Sequence, residues 1–198
     1  ISGGKNRIKY YANSKRCPIK QELIDNIQRT KQTFYSQLLR KGEVKTRTGV
    51  SRLCKELHSH SVSQWIVTSS GSEAVKAMVS SLFADQGDMF EGCISSNDVE
   101  RLKPHPECYL LALRKSNSSI HSSIVIEDSE IGLKAAKLAN LKCVITKSSW
   151  VKYKKGSFKK ADIVVDHLGE PSNPLHVFSG NRKVDIINYN YLRDLINN

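Results

Sequence analysis

Residues 124–138 read Ile-Val-Ile-Glu-Asp-Ser-Glu-Ile-Gly-Leu-Lys-Ala-Ala-Lys-Leu. Three apolar residues suit a buried strand, and Gly132, Ala135, Ala136 and Leu138 then recur at helical spacing. A strand that ends in adjacent carboxylates and runs into a helix is a unit of an α/β fold, in which ligands collect at the carboxyl ends of strands. Two side-by-side acids repel one another, and a hard cation with oxygen ligands relieves that repulsion. The plainer alternative is that Asp128 or Ser129 caps the helix.

The same rhythm extends in both directions. Trp65-Ile66-Val67, Cys93-Ile94, Cys143-Val144-Ile145 and Ile163-Val164-Val165 are short apolar runs separated by helix-like stretches, which predicts a parallel sheet covered on both faces. Before them, Leu23, Ile24, Ile27, Phe34, Leu38, Leu39, Leu53 and Leu57 recur at three- and four-residue spacing and predict helix, turn, helix. The end, around Tyr191 to Ile196, also reads as helix, with loop signals at Lys152 to Gly156 and Gly169 to Pro174.

Two more strand ends carry polar residues. Thr68-Ser69-Ser70-Gly71-Ser72-Glu73 follows the first run; hydroxyls and free N–H groups at a helix start suit a phosphate, and Ser70 and Glu73 have capping-box spacing. Arg101-Leu102-Lys103-Pro104-His105-Pro106-Glu107 holds a lysine just before helix-breaking prolines, where it could give a compact positive charge to a phosphoryl group. Singly, these read as a helix cap and a surface lysine.

The chain has 198 residues, of which 39% are hydrophobic and 25% charged, the make-up of one folded core with at most a small appended module. No apolar run approaches the roughly 20 residues that span a bilayer. Five scattered cysteines without a CxxC pair suggest neither a disulfide framework nor a zinc site, and a cytoplasm-like compartment fits. The net charge is +12, and residues 1 to 60 hold 14 Lys/Arg against four Asp/Glu, or +10. Such a bias attracts an acidic ligand or simply marks solvated helix faces. Nucleic acid is not the expected partner, because few aromatic residues are available for stacking and no nucleic-acid motif occurs.

Taken in order, Thr68, Lys103-Pro104 and Glu127-Asp128 resemble motifs two, three and four of haloacid dehalogenase-type phosphatases. "KPHPECYLLAL" (103–113) and "VIEDSEIGLKAAKLANLKCV" (125–144) resemble the β-phosphoglucomutase and phosphoglycolate phosphatase group, while "ISGGKNRIKYY" (1–11) and "ADIVVDHLGEP" (161–171) are similar to CbbY proteins, which dephosphorylate sugar phosphates and bisphosphates. The resemblance implies a Rossmann-like α/β core over residues 46–198 and the remnant of a helical cap over 1–45. It implies Mg²⁺ as cofactor, bound by Asp128 with Glu127 acting through the metal's waters. Thr68, Lys103 and Asp128 would be catalytic; Ser69 and Ser70 would hold phosphoryl oxygens; Lys31, with Lys5 or Arg7, would grip the substrate beyond the scissile phosphate. A phosphorylated small molecule is the expected partner of a monomer, in the cytoplasm or a plastid stroma. A sugar phosphomutase and a non-catalytic phosphate-ligand or partner-binding member share these motifs.

Motif one, an Asp-x-Asp turn bearing the nucleophile that forms an aspartyl-phosphate, has no counterpart, since the chain contains no Asp-x-Asp. The resemblance therefore implies an N-terminally truncated sequence that is inactive as it stands. It also implies a gap in the sheet between the Trp65–Val67 and Ile124–Ile126 strands, or an abnormal closing of those two strands on one another.

Overall fold

A computed structural model describes residues 3–84, 88–180 and 183–198; Ile1 and Ser2, which open the proposed cap remnant, lie outside them. The chain is an α/β fold in the order α1 (Gly4–Ser14), α2 (Gln21–Arg40), α3 (Val50–Ser59), β1 (Trp65–Val67), α4 (Ser72–Leu82), β2 (Gly92–Ile94), α5 (Glu107–Lys115), β3 (Ile124–Glu127), α6 (Glu130–Leu138), β4 (Lys142–Thr146), β5 (Ile163–Val165), β6 (Val177–Ser179) and α7 (Tyr189–Asn197).

The buried strands explain themselves by alternation. Cys143 and Ile145 of β4 face one hydrophobic cluster with Cys108 and Tyr109 of α5 and Leu133, Ala135 and Ala136 of α6. Val144 faces the opposite cluster, with Leu53 of α3, Ile187 from the segment before α7, and Leu192 of α7. Because side chains of a strand point alternately to the two faces, helices must cover both. Leu53 is 1% exposed. Leu53→Ala is expected to cost about 2–5 kcal/mol of unfolding free energy, since a filled site is left as a cavity; urea melts measure it, and a loss below about 1 kcal/mol would contradict the packing described.

Five strands were legible as apolar runs; β6 was not. It is an antiparallel edge strand on β5, half exposed at Phe178, so the sheet is mixed rather than wholly parallel. The other ladders are parallel, β1 on β2, β3 on β4 and β4 on β5. They form two sheets, β1-β2 and β3-β4-β5-β6, and among the described residues no ladder joins β1 to β3. A gap thus separates the inner edges of these strands.

Two arginines fasten the periphery. Arg52 of α3 donates to the carbonyls of Leu168, Gly169 and Ile187 and to Glu56, tying α3 to the chain after β5. Arg47, between α2 and α3, donates to the carbonyls of Thr146 (2.9 Å), Lys147 (3.0 Å) and Asp166 (2.6 Å) and to the Thr146 hydroxyl (3.0 Å). It thereby bridges the carboxyl ends of β4 and β5 just past the helical hairpin α1–α2.

Candidate active site

Three loops meet across the gap. Lys103 reaches in from the segment before α5, and its side chain is 7% exposed. Its Nζ donates to the Val67 carbonyl at the end of β1 (3.0 Å), to the Tyr109 hydroxyl (3.0 Å) and to Glu127 Oε1 at the end of β3 (2.5 Å). An ammonium has three protons, and each has an acceptor. Thr68 follows Val67 directly and Asp128 follows Glu127, so the hydroxyl, the ammonium and the acidic pair lie together at the carboxyl ends of β1 and β3.

The segment leading to Lys103 is fastened by Glu107 at the start of α5, whose carboxylate accepts from the backbone N–H groups of Glu100 and Arg101 and from the Arg101 guanidinium. The backbone N–H of Glu100 is the chief cause that depresses the Glu107 pKa.

Both Glu127 oxygens are engaged. Oε1 accepts from Lys103 and from the Tyr109 hydroxyl (2.6 Å), and Oε2 accepts from the Asp128 N–H (3.2 Å) and the Ser129 hydroxyl (3.1 Å). Burial alone would raise the Glu127 pKa, but the Lys103 charge and these hydrogen bonds outweigh it, so the group stays ionised with its pKa below the ordinary value. The buried phenol of Tyr109 is pushed strongly the other way, first by burial and then by the Glu127 charge, which keeps its proton available to donate.

The helix cap falls to Ser129, whose Oγ accepts from the Gly132 N–H (3.1 Å). Asp128 is therefore not used as the cap of α6; it is an exposed residue whose carboxylate, set close against the protein, keeps only part of its hydration. Its pKa is raised, by desolvation first and by the neighbouring Glu127 charge second, while Arg47 pulls it down.

At β1 the predicted capping box is not formed. Thr68 Oγ1 accepts the Ser70 N–H (3.1 Å), which draws Ser70 into a turn and moves the helix cap to Gly71. The N–H of Ser72 is taken by Asn97 Oδ1 (3.2 Å), and Glu73 pairs instead with Lys76. Ser69 and Ser70 remain in the loop beside Thr68.

Lys5 and Arg7 are on α1, whose N-terminal Gly3 approaches Leu102 next to Lys103. Lys5 forms an ion pair with Asp25 of α2 (2.6 Å). Lys31 is exposed half-way along α2, and no described contact joins it to Thr68, Lys103 or Asp128.

Sequence reasoning missed Tyr109, which looked like one more apolar position of "CYLLAL". A phenol inside a core face needs a hydrogen-bond partner, and that need was the available signal. All five cysteines are free, and burial lifts Cys54 to about 11 and Cys143 to about 12, so neither thiol is a nucleophile at neutral pH.

Residues 5–146, well over half of the chain, match the family model described as haloacid dehalogenase-like hydrolase. The chain belongs to that family. Within it, similarity points to the CbbY and β-phosphoglucomutase branch. A CBBY-like protein of Arabidopsis thaliana is 31% identical over 86% of this chain, and the CbbY protein of Cupriavidus necator is 28% identical over 88%. The chain spans 56% of the first relative and 70% of the second. The crystal structure of CbbY from Rhodobacter sphaeroides with phosphate is 27% identical and superposes with a TM-score of 0.75, covering 84% of this chain and 74% of that one. A variant of that CbbY has been seen with xylulose-(1,5)bisphosphate, with the same identity and TM-score over 86% of this chain and 77% of that one. A Clostridium difficile β-phosphoglucomutase, 18% identical with a TM-score of 0.71, covers 98% of this chain and 77% of that one and shares the fold.

Among the described residues, no group of three or more His, Cys, Asp or Glu side chains comes together that could hold a metal, and no helix is long and apolar enough to cross a membrane. The acidic pair nevertheless suits Mg²⁺. That ion uses one or two carboxylates, keeps several waters and takes phosphate oxygens. Asp128 offers an exposed carboxylate, whereas both Glu127 oxygens are already engaged by donors of the chain.

Proposed function

We propose that this chain carries the phosphoryl-recognition part of a Mg²⁺-dependent phosphatase acting on a sugar phosphate or sugar bisphosphate, through an aspartyl-phosphate formed on an aspartate that the chain does not contain. The observation that carries this reading is Lys103, held between the ends of β1 and β3 beside Thr68 and Asp128. The gap it crosses is where the family resemblance puts the strand bearing motif one.

In this reading the Thr68 hydroxyl and the Ser69 backbone orient phosphoryl oxygens, and Ser70 helps by giving its N–H to Thr68 Oγ1, which leaves the Thr68 hydroxyl proton to donate. Lys103 gives a fixed positive charge, and Tyr109 and Ser129 hold Glu127 so that the ammonium stays placed. Asp128 holds the metal, with Glu127 ordering its water. Lys5 or Arg7 of α1, and Lys31 of α2, contact the remainder of the substrate. Mg²⁺ itself supplies neutralisation of phosphoryl charge. Without the nucleophile the chain binds but does not turn over.

Inorganic phosphate binding, followed by ³¹P line broadening with and without Mg²⁺, tests the assignment. Mg²⁺ is expected to tighten binding, Asp128→Asn to abolish that gain, and Thr68→Ala to weaken binding roughly tenfold, equivalent to about 1.4 kcal/mol. Identical affinity in all three proteins overturns the site. Mg²⁺-dependent phosphate release from sugar phosphates by this chain, lost in Asp128→Asn, overturns only the statement that it is inactive.

A further inference from the structure

The loop between β4 and β5 reaches back to the turn that carries Asp128. Tyr153, inside the Lys152 to Gly156 stretch, donates its hydroxyl proton to the Asp128 carbonyl (3.0 Å), and its oxygen accepts the Ser148 N–H (3.3 Å). The phenol thus uses a donor and an acceptor to join two segments of chain. Its ring has little room to leave. It lies 4.8 Å from the ring of Phe158, which is buried in the same cluster as Cys143 and Ile145, and the Lys147 ammonium stands 5.8 Å from its centroid. Further along the loop, Ser157 donates to the Glu130 carboxylate in the first turn of α6. The loop therefore holds this turn on both sides of the Ser129 cap.

Both backbone groups of Asp128 have partners. Its N–H donates to Glu127 Oε2 (3.2 Å), and its carbonyl accepts from Tyr153. Glu127 before it is fixed by Lys103, Tyr109 and Ser129, and Ser129 after it is fixed as the cap of α6. What the turn presents is the Asp128 carboxylate. A side chain takes its direction from the backbone it stands on, so the carboxylate can point reproducibly only if the peptide planes beside it do not rotate. The Asp128 carbonyl lies in the plane of the Asp128–Ser129 peptide, and Tyr153 holds that carbonyl.

We propose that Tyr153 is a positioning residue for the metal-binding carboxylate: it fixes the Asp128–Ser129 peptide and, through it, the direction in which the Asp128 side chain meets Mg²⁺. This rests on the reading of Asp128 as the Mg²⁺ ligand. Hydrogen-bonded supports of metal ligands are worth about ten- to a hundredfold in metal affinity, and Tyr153 supports the peptide rather than the carboxylate, which places it at the lower end. The bond itself is exposed, so it contributes little to folding.

Phosphate binding by the whole chain and by Tyr153→Phe, followed by ³¹P line broadening with and without Mg²⁺, tests this. Without Mg²⁺ the two proteins are expected to bind phosphate equally, because Thr68 and Lys103 are untouched. With Mg²⁺ the variant is expected to bind about tenfold more weakly than the parent. Its thermal midpoint should move by less than about 4 °C, and amide exchange at Ser148 should quicken, since that N–H loses its acceptor. Ser157→Ala removes the other tie of the loop and is expected to keep the Mg²⁺ gain. A Tyr153→Phe protein with the full gain, a loss of phosphate binding that is the same with and without Mg²⁺, an equal loss in Ser157→Ala, or unchanged exchange at Ser148 overturns the proposal and leaves Asp128 in its role. A parent with no Mg²⁺ gain overturns the metal reading, and the role of Tyr153 falls with it.

Discussion

Lys103→Met is expected to lower the unfolding free energy by roughly 3–5 kcal/mol at neutral pH, because it strands the carboxylate of Glu127, 9% exposed, without its cation. For a chain of this size the midpoint of thermal unfolding falls by on the order of 10 °C. The pH dependence identifies the cause. In the parent, the folded pKa of Glu127 lies below the ordinary value of 4.5, so its contribution is present above that value and is lost as pH falls through the folded pKa. Without the ammonium, burial dominates and raises the folded pKa. The sign then reverses: the variant gains from a protonated Glu127 at low pH and loses that gain as pH rises through the unfolded value toward the raised folded one. The stability difference between the two proteins should be large at pH 7 and shrink below pH 5. A difference that does not change with pH would show that Glu127 is not the group left stranded.

Gly132→Ala is the second large effect, although in most helices this change is favourable by about 0.5–1 kcal/mol. A Cβ at Gly132 would lie 2.0 Å from the Glu127 carboxyl carbon and from Oε2. The carboxylate cannot yield without leaving Lys103, Tyr109 and Ser129, so the expected loss is roughly 3 kcal/mol, the scale of breaking the buried pair. The same change made in a Glu127→Ala background meets no carboxylate and should be neutral or stabilising. That reversal, read by urea melts of the four proteins of the cycle, separates a specific collision from a general intolerance of the α6 start. Equal losses in both backgrounds would refute it.

How much of this was legible depends on where the information resides. β1, β3, β4 and β5 are runs of apolar residues buried on both faces or against a helix, and such runs stand out in a sequence. Val177–Ser179 is short, half exposed and antiparallel at an edge, with no periodicity to announce it. The ordered set of Thr68, Lys103 and Asp128 could be picked out because Thr68 and the Glu127-Asp128 pair end apolar runs and Lys103 stands just before two prolines. The supports of that set could not. Tyr109 is indistinguishable from a core aromatic until Glu127 and Lys103 are seen on either side of its hydroxyl. The cap at α4 depended on Thr68 claiming the Ser70 N–H and on Asn97 arriving from the loop after β2, both tertiary facts. At α6, Ser129 and Asp128 were equal candidates for the cap, and only the Gly132 N–H bond decided between them.

Arg47 has a mechanical meaning. Its guanidinium is pinned to the rims of β4 and β5 by four acceptors, so the tether between α2 and the sheet ends in a fixed post. Any swing of the hairpin must pivot within the few residues before that post. The same cation also acts on Asp128. Uprooting it would therefore change the voltage felt by the acid at the moment the hairpin came loose, which makes one side chain both anchor and transducer.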